Sequence, residues 1–212
     1  MELEYKFVCE SIEALEQLAR LDAVAGCRLS PAKTGEVRDV YFDTAAFALL
    51  KAGYGARVRH AGAERRLTVK GIGGSTEGGL HAREEIETRL TPVPEDDLAA
   101  ARAALPESLR ATVGEAAIQE LFTVQNVRIV REGRSRDGGR FELALDRATF
   151  RGPRGESSRC EVEVEAVSMS EAALREVAEA LRQAFLLRPE PESKYHFGLR
   201  TVVRSREPRD TR

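Results

Sequence analysis

Charged side chains alternate with apolar ones at the start of the chain, and their types suit metal and phosphate chemistry. Glu2, Glu4 and Lys6 recur at every second position, separated by Leu3 and Tyr5. In a β-strand this period of two places the three charges on one face, with neighbours about 6.6 Å apart. Carboxylates at that spacing can bracket a hard cation such as Mg2+, which binds a few carboxylates together with substrate phosphates and water.

A second acidic stretch near the other end of the chain repeats this pattern. Glu161, Glu163 and Glu165 alternate with valines, so a strand would present three carboxylates on one face. Enclosing unpaired carboxylates is costly, which indicates that a metal ion or cationic side chains compensate them. The two stretches therefore predict a fold that brings both ends of the chain together around positive charge.

Arginine and lysine side chains between the two acidic stretches could supply this charge. The candidates are Arg57, Arg59, Lys70, Arg83, Arg128 and Lys194. If each carboxylate formed one ion pair, some of these cationic side chains would remain unpaired. We therefore expect a ligand of dense negative charge, such as several phosphates in a row. Arginine binds phosphate oxygens in pairs and lysine acts as a point charge.

The sequence offers no evident protein nucleophile for this chemistry. His60, His81 and His196 share no metal-ligand spacing, and no nucleophilic triad is evident. Water is therefore the expected attacking group. Each charged motif taken alone is more typical of a solvated strand face with cross-strand partners. The functional prediction depends on their occurrence together in one domain.

The elements that must position these residues are mostly alternating strands. Besides the two terminal acidic strands, we predict strands at residues 37–44, 55–59, 66–70, 80–90, 126–131 and 141–150. We predict helices at residues 11–21, 94–105, 116–122 and 170–186, and a loop at 31–35. The polar strand faces carry clustered like charges instead of scattered ones. This favours an α+β fold in which an eight-stranded antiparallel β-barrel has a polar lumen and helices packed on the outside.

Composition narrows the class of protein. Lys plus Arg is 33 against 35 for Asp plus Glu in 212 residues, so no global field draws the chain to nucleic acid or a membrane. Three cysteines without a CxxC spacing indicate neither a disulfide framework nor a zinc site. No run of 18 apolar residues occurs. We expect a cytoplasmic protein with one domain at residues 1–204 and a polar tail or start of a linker at 205–212.

The ordered set of motifs resembles the CYTH superfamily, the triphosphate tunnel metalloenzymes. The similarity runs through residues 2–6, 39–44, 57–59, 68–70, 83–85, 142–146, 161–165 and 193–194. It implies an eight-stranded antiparallel tunnel that binds triphosphate with Mg2+ or Mn2+.

The resemblance also implies roles for individual residues. The implied metal ligands are Glu2, Glu4, Glu163 and Glu165, which together with Lys6 form the candidate catalytic set. The implied phosphate-binding residues are Lys6, Arg57, Arg59, Lys70, Arg83, Arg128 and Lys194. The other expected lumen positions are Glu85, Glu142, Asp146 and Glu161.

Residues 78–83 are most similar to the bacterial inorganic triphosphatase branch of this superfamily, in which a helical domain often follows the tunnel. The resemblance thus implies metal-dependent hydrolysis of inorganic triphosphate (tripolyphosphate) to pyrophosphate and orthophosphate. A downstream helical domain is a possible partner, whereas nucleic acid and membrane are not expected. The alternatives are a class IV-type adenylate cyclase, a thiamine or nucleoside triphosphatase, and a non-catalytic polyphosphate-binding module.

Overall fold

The computed structural model describes residues 2–76, 78–91 and 97–203. Its strands are β1 (Glu2–Cys9), β2 (Ala23–Val24), β3 (Cys27–Leu29), β4 (Lys33–Thr44), β5 (Tyr54–Ala61), β6 (Glu64–Gly71), β7 (Leu80–Arg83), β8 (Glu85–Arg89), β9 (Ile118–Arg134), β10 (Arg140–Gly152), β11 (Gly155–Ala166) and β12 (Arg188–Pro189). Its helices are α1 (Ile12–Ala19), α2 (Ala48–Lys51), α3 (Asp97–Ala104), α4 (Glu107–Val113), α5 (Glu171–Phe185) and α6 (Lys194–Gly198), followed by a π-helical segment at Leu199–Val203. The predicted tail at 205–212 lies outside these residues.

Within the described residues, eight strand positions close into one antiparallel barrel. The order is β1, β11, β10, β9, β4, β5, β6 and then β8 with β7, which returns to β1. β7 and β8 share one position because the strand breaks at Glu84: β7 pairs with β1, and β8 pairs with β6. The predicted eight-stranded barrel is therefore confirmed, with one strand position divided in two.

The terminal strands lie side by side, as the two acidic stretches predicted. β1 and β11 pair directly, with Glu4 opposite Glu165 and Lys6 opposite Glu163. Directly opposite residues on an antiparallel pair point to the same face. The pairing therefore concentrates the charges of both chain ends on the inner face of the barrel.

Amphipathic helices cover the outer face of the barrel. On one side α1 and α5 bury Leu18 and Leu181 against outward residues of β1, β10 and β11, such as Phe7. Each helix begins at a serine whose hydroxyl accepts a backbone N–H, Ser11 for α1 and Ser170 for α5. On the other side, α2, α3 and α4 pack on apolar residues of β4, β5 and β6.

The last helical segment lies differently, because it closes one end of the barrel from within. Tyr195, Leu199 and Val202 pack with Phe122 and other apolar residues that point inward on β4, β9 and β10. The lumen is therefore apolar and filled at this closed end and polar toward the other, open end. No helix in the described part of the chain has the length and apolarity needed to cross a membrane.

Three predicted elements differ from the structure. The helix predicted at 116–122 is wrong: Ile118 begins β9 and pairs with Thr44, because a short apolar run does not distinguish a helix from a buried strand. The loop predicted at 31–35 is wrong at its end, since β4 already begins at Lys33. The helix predicted at 94–105 is described only from Asp97, as α3.

Candidate active site

A cavity of about 320 Å³ occupies the polar part of the barrel. It is lined by the predicted residues Glu2, Glu4, Lys6, Arg57, Arg59, Lys70, Arg83, Glu85, Arg128, Glu142, Glu163, Glu165 and Lys194. The other two predicted lumen residues, Asp146 and Glu161, are fully buried and contact the lining residue Lys194. Side chains from both ends of the chain and from the strands between them thus meet in one cavity.

Three carboxylates from β1 and β11 form a first acidic cluster. Glu2, Glu4 and Glu165 each offer an oxygen within 4.8 Å of the others. Lys70 Nζ donates to Glu2 Oε1 at 2.6 Å, and Arg83 Nη2 donates to Glu4 Oε1 at 2.7 Å. The two cations thus contact two of the three carboxylates, and Glu165 has no ion pair with any described residue.

The electrostatics of this first cluster favour added positive charge. Burial, followed by repulsion from Glu2 and Glu4, raises the pKa of Glu165 to about 8. Glu2 Oε2 is buried without a hydrogen-bond partner among the described residues. Carboxylate oxygens are the ligands that Mg2+ and Mn2+ prefer, so the donor set fits a hard divalent cation.

A second acidic cluster has its charge met by side chains. Asp146, Glu161 and Glu163 also offer oxygens within 4.8 Å of one another. Lys194 Nζ lies among them, 2.9 Å from Asp146 and 2.5 Å from Glu163, and it also contacts Glu161. This lysine comes from α6, the helix that closes the barrel.

Further cations complete this second network. Arg128 donates to both oxygens of Asp146, at 2.7 and 2.6 Å, and to Glu163 at 2.6 Å. Lys6 Nζ lies 3.0 Å from Glu161. Although burial opposes it, Lys194 and Arg128 hold the pKa of Glu163 well below its ordinary value. The structure thus groups Glu163, a predicted metal ligand, with this closed network, whereas the first cluster stays open.

Two arginines of β5 form a cationic wall and share one carboxylate. Arg59 binds Asp39 through two hydrogen bonds, at 2.8 and 2.9 Å, and Arg57 donates to Asp39 at 3.2 Å and to the Tyr41 hydroxyl at 3.3 Å. Burial would raise the pKa of Asp39, but the two arginines hold it below its ordinary value. Asp39 was not predicted as a site residue; its cross-strand position opposite Arg59 is the signal that would have found it.

Arg159 is a second residue that the sequence analysis missed. It precedes Glu161 by two positions on β11, so continuing the alternation of that strand would have found it. Its guanidinium contacts Glu161, lies 3.2 Å from Glu190 and stacks 4.0 Å above the ring of Phe197. Arg159 therefore ties the acidic strand to the segment that closes the barrel.

The comparisons with known proteins identify a family and a fold. The CYTH domain model matches residues 1–196. No curated protein is significantly similar in sequence to this chain.

Solved structures share the fold at low sequence identity. A Hippeastrum protein, an adenylyl cyclase candidate described as having a dominant triphosphatase activity, is 21% identical with a TM-score of 0.66, over 93% of this chain and 95% of that one. An adenylate cyclase candidate from Bacillus halodurans is 23% identical with a TM-score of 0.62, over 92% and 94%. Another from Vibrio parahaemolyticus is 18% identical with a TM-score of 0.53, over 91% and 94%. At these identities the likeness concerns the fold.

Proposed function

Because the chain belongs to the CYTH domain family, we propose that it is a metal-dependent hydrolase that splits inorganic triphosphate into pyrophosphate and orthophosphate. The observation that carries the proposal is the open acidic cluster of Glu2, Glu4 and Glu165, which shares one cavity with the cationic residues. A triphosphate carries enough negative charge to need both a metal and several cations.

We assign the metal to the first acidic cluster. Glu2, Glu4 and Glu165 would hold Mg2+ or Mn2+, which when bound neutralises phosphate oxygens and lowers the pKa of a bound water. Glu163 would join them as a ligand once phosphate oxygens draw Arg128 and Lys194 away from it. The predicted set of metal ligands thus remains part of the proposal, with Glu163 recruited on substrate binding.

The phosphate chain would run along the cations of the cavity. Lys6 and Lys194 lie beside the closed network, and Arg57 and Arg59 lie on the opposite wall with their guanidinium groups held by Asp39. Fixed cations of this kind stabilise the charge that develops on the transferred phosphoryl group without reorganising. We assign the attack to water. The lining serine, Ser193, is the N-cap of α6, where its hydroxyl accepts the backbone N–H of His196 at 3.2 Å.

The test is a side-by-side turnover assay on tripolyphosphate, ATP and thiamine triphosphate with Mg2+ or Mn2+, in which orthophosphate and pyrophosphate are measured separately. We expect tripolyphosphate to be the best substrate, and Glu4→Gln to lower its turnover by about 100-fold. Glu156→Gln is the matched control, because Glu156 lies on β11 but its side chain is exposed.

Three results would contradict the proposal. Turnover no faster than that of Glu4→Gln would reject catalysis. A cyclic nucleotide with pyrophosphate from ATP as the preferred reaction would indicate a cyclase. Tight binding of tripolyphosphate without turnover in either metal would indicate a binding module.

A further inference from the structure

Three arginines lie side by side at the open end of the barrel. Arg59 on β5 is directly opposite Arg66 on β6, and Arg66 is directly opposite Arg89 on β8. We call these three residues the mouth arginines. Like charges at directly opposite positions of a sheet are destabilising. Asp39 offsets the charge of Arg59, and Glu64 and Glu87 offset that of Arg66, whereas Arg89 has no ion pair with the described residues.

The mouth arginines lie away from the closed end of the lumen. Gly55, on the same strand and face as Arg59, is packed against the ring of Tyr195, which belongs to the closing helix. Arg59 follows Gly55 by four positions on β5, so their Cα atoms are roughly 13 Å apart. The same spacing separates Lys70 from Arg66 on β6. The mouth arginines thus lie four residues along β5 and β6 from the level of Gly55 and Lys70, away from the closing helix α6.

Two of the mouth arginines are available to a ligand that enters from solvent. Arg66 pairs with Glu64 at 2.8 Å and with Glu87 at 2.6 Å, but all three side chains are 37–39% exposed. Exposed ion pairs contribute little, so phosphate oxygens can compete for this guanidinium. Arg89 is exposed and forms no ion pair with the described residues. Only Arg59 is tightly held, by Asp39.

The row of cationic residues on β6, from Lys70 to Arg66, is longer than a triphosphate. The Cα atoms of Lys70 and Arg66 are roughly 13 Å apart along β6, which is longer than the distance between the terminal phosphorus atoms of a linear triphosphate. Arg66 lines the same cavity as Lys70. A triphosphate bound at the first acidic cluster beside Lys70 would therefore end short of the strand level of Arg66 and Arg89.

We propose that two of the mouth arginines, Arg66 and Arg89, form a binding subsite for the distal phosphates of linear polyphosphates longer than triphosphate, next to Arg59 of the triphosphate site. The inference rests on the proposed function for the position of the first three phosphates. Bidentate arginine forks suit a chain of phosphates because each unit presents oxygens in pairs.

The test compares wild-type protein with the double variant Arg66→Gln/Arg89→Gln. Binding of tripolyphosphate and of linear polyphosphates of defined greater length is measured by calorimetry in EDTA, so that metal and turnover do not enter. For the wild type we expect affinity to rise about tenfold from triphosphate to the longer chains, and we expect the double variant to lose that rise. Its binding and hydrolysis of tripolyphosphate should stay near wild type. Arg151→Gln, which removes an exposed arginine paired with Glu156, is the control.

The outcomes separate this inference from the proposed function. Equal affinity for all chain lengths in the wild type, or an undiminished rise in the double variant, would overturn the subsite. A length-dependent affinity lost in the double variant, without turnover of tripolyphosphate by the wild type, would support the subsite and reject the hydrolase. The melting temperature of the double variant verifies its folding.

Discussion

The carboxylates that face the inside of this barrel differ in whether cationic side chains pair with them. Asp39 is enclosed by two arginines, whereas Glu165 is half-buried beside two other carboxylates and forms no ion pair with the described residues. Buried charges with complete partners stabilise a fold only if the partners stay, and buried charges without partners cost stability. A carboxylate such as Asp39 therefore fixes the position of the arginines around it, whereas a carboxylate such as Glu165 is available to bind a cation.

We predict that Asp39→Asn destabilises the protein in a pH-dependent way. Removing one partner of a buried ionic network costs about 3 kcal/mol at pH 7, because Arg57 and Arg59 lose their carboxylate. The pKa of Asp39 is lowered in the folded state, so its stabilisation is full above its unfolded pKa and is lost as the pH falls. The difference in unfolding free energy between variant and wild type should narrow below about pH 4.

Urea unfolding at pH 7 and pH 3 measures this difference. Glu156→Gln should differ little from wild type at either pH, since Glu156 is exposed. An Asp39→Asn penalty as large at pH 3 as at pH 7 would show that lost packing, not lost charge, is the cause.

We predict that Glu165→Gln stabilises the metal-free protein and weakens its response to metal. Burial and repulsion from Glu2 and Glu4 raise the pKa of Glu165 to about 8, so the folded state loses stability as the pH rises from the ordinary glutamate pKa toward 8. A neutral glutamine avoids this loss. A metal at 100 times its dissociation constant adds about 2.7 kcal/mol to the wild type, or about 5–10 °C in melting temperature at this chain length. The variant should melt higher without metal and gain much less from Mg2+ or Mn2+. A full metal-dependent gain in the variant would exclude Glu165 as a ligand.

At the scale of elements, alternation predicted most of the barrel. Charged residues at every second position of β1, β5, β6, β10 and β11 predicted that the polar faces of these strands point into the barrel. Apolar residues at helical spacing predicted α1 and α5. The structure adds what alternation does not encode. The break at Glu84 divides one strand, and residues 194–203 enter the barrel as a helix because the aromatic inner faces of β9 and β10 offer them a surface.

The closing helix α6 contains a glycine, Gly198, where it packs against Phe122, and we predict that a larger residue disturbs this packing. A Cβ on Gly198 would lie 2.2 Å from the ring of Phe122. Gly198→Ala should therefore shift α6, cost about 1–3 kcal/mol and lower activity, since Lys194 is carried by the same helix. Gly73→Ala, where a Cβ meets nothing within 4 Å, is the control.

Urea unfolding and tripolyphosphate turnover of the two glycine variants test this prediction. Unchanged stability and turnover in Gly198→Ala would show that the helix does not need this close contact.

At the scale of the whole molecule, the sequence indicates which residues face the lumen but not how they divide into two networks. Glu163 and Glu165 lie two residues apart on one face of β11, yet only Glu163 is reached by Lys194 and Arg128. That division depends on the register of β11 with β1 and on where the closing helix places its lysine. Asp39 and Arg159 escaped the sequence analysis because their partners come from other strands and from the closing segment.

The central claim is that Glu2, Glu4 and Glu165 form a site for a divalent cation inside the barrel. Titration of Mn2+ into the protein, with free Mn2+ followed by its electron paramagnetic resonance signal, tests it most directly. We predict saturable binding by the wild type and by Glu156→Gln, with at least about tenfold weaker binding by Glu2→Gln. Equal Mn2+ affinity in Glu2→Gln and wild type would contradict the account.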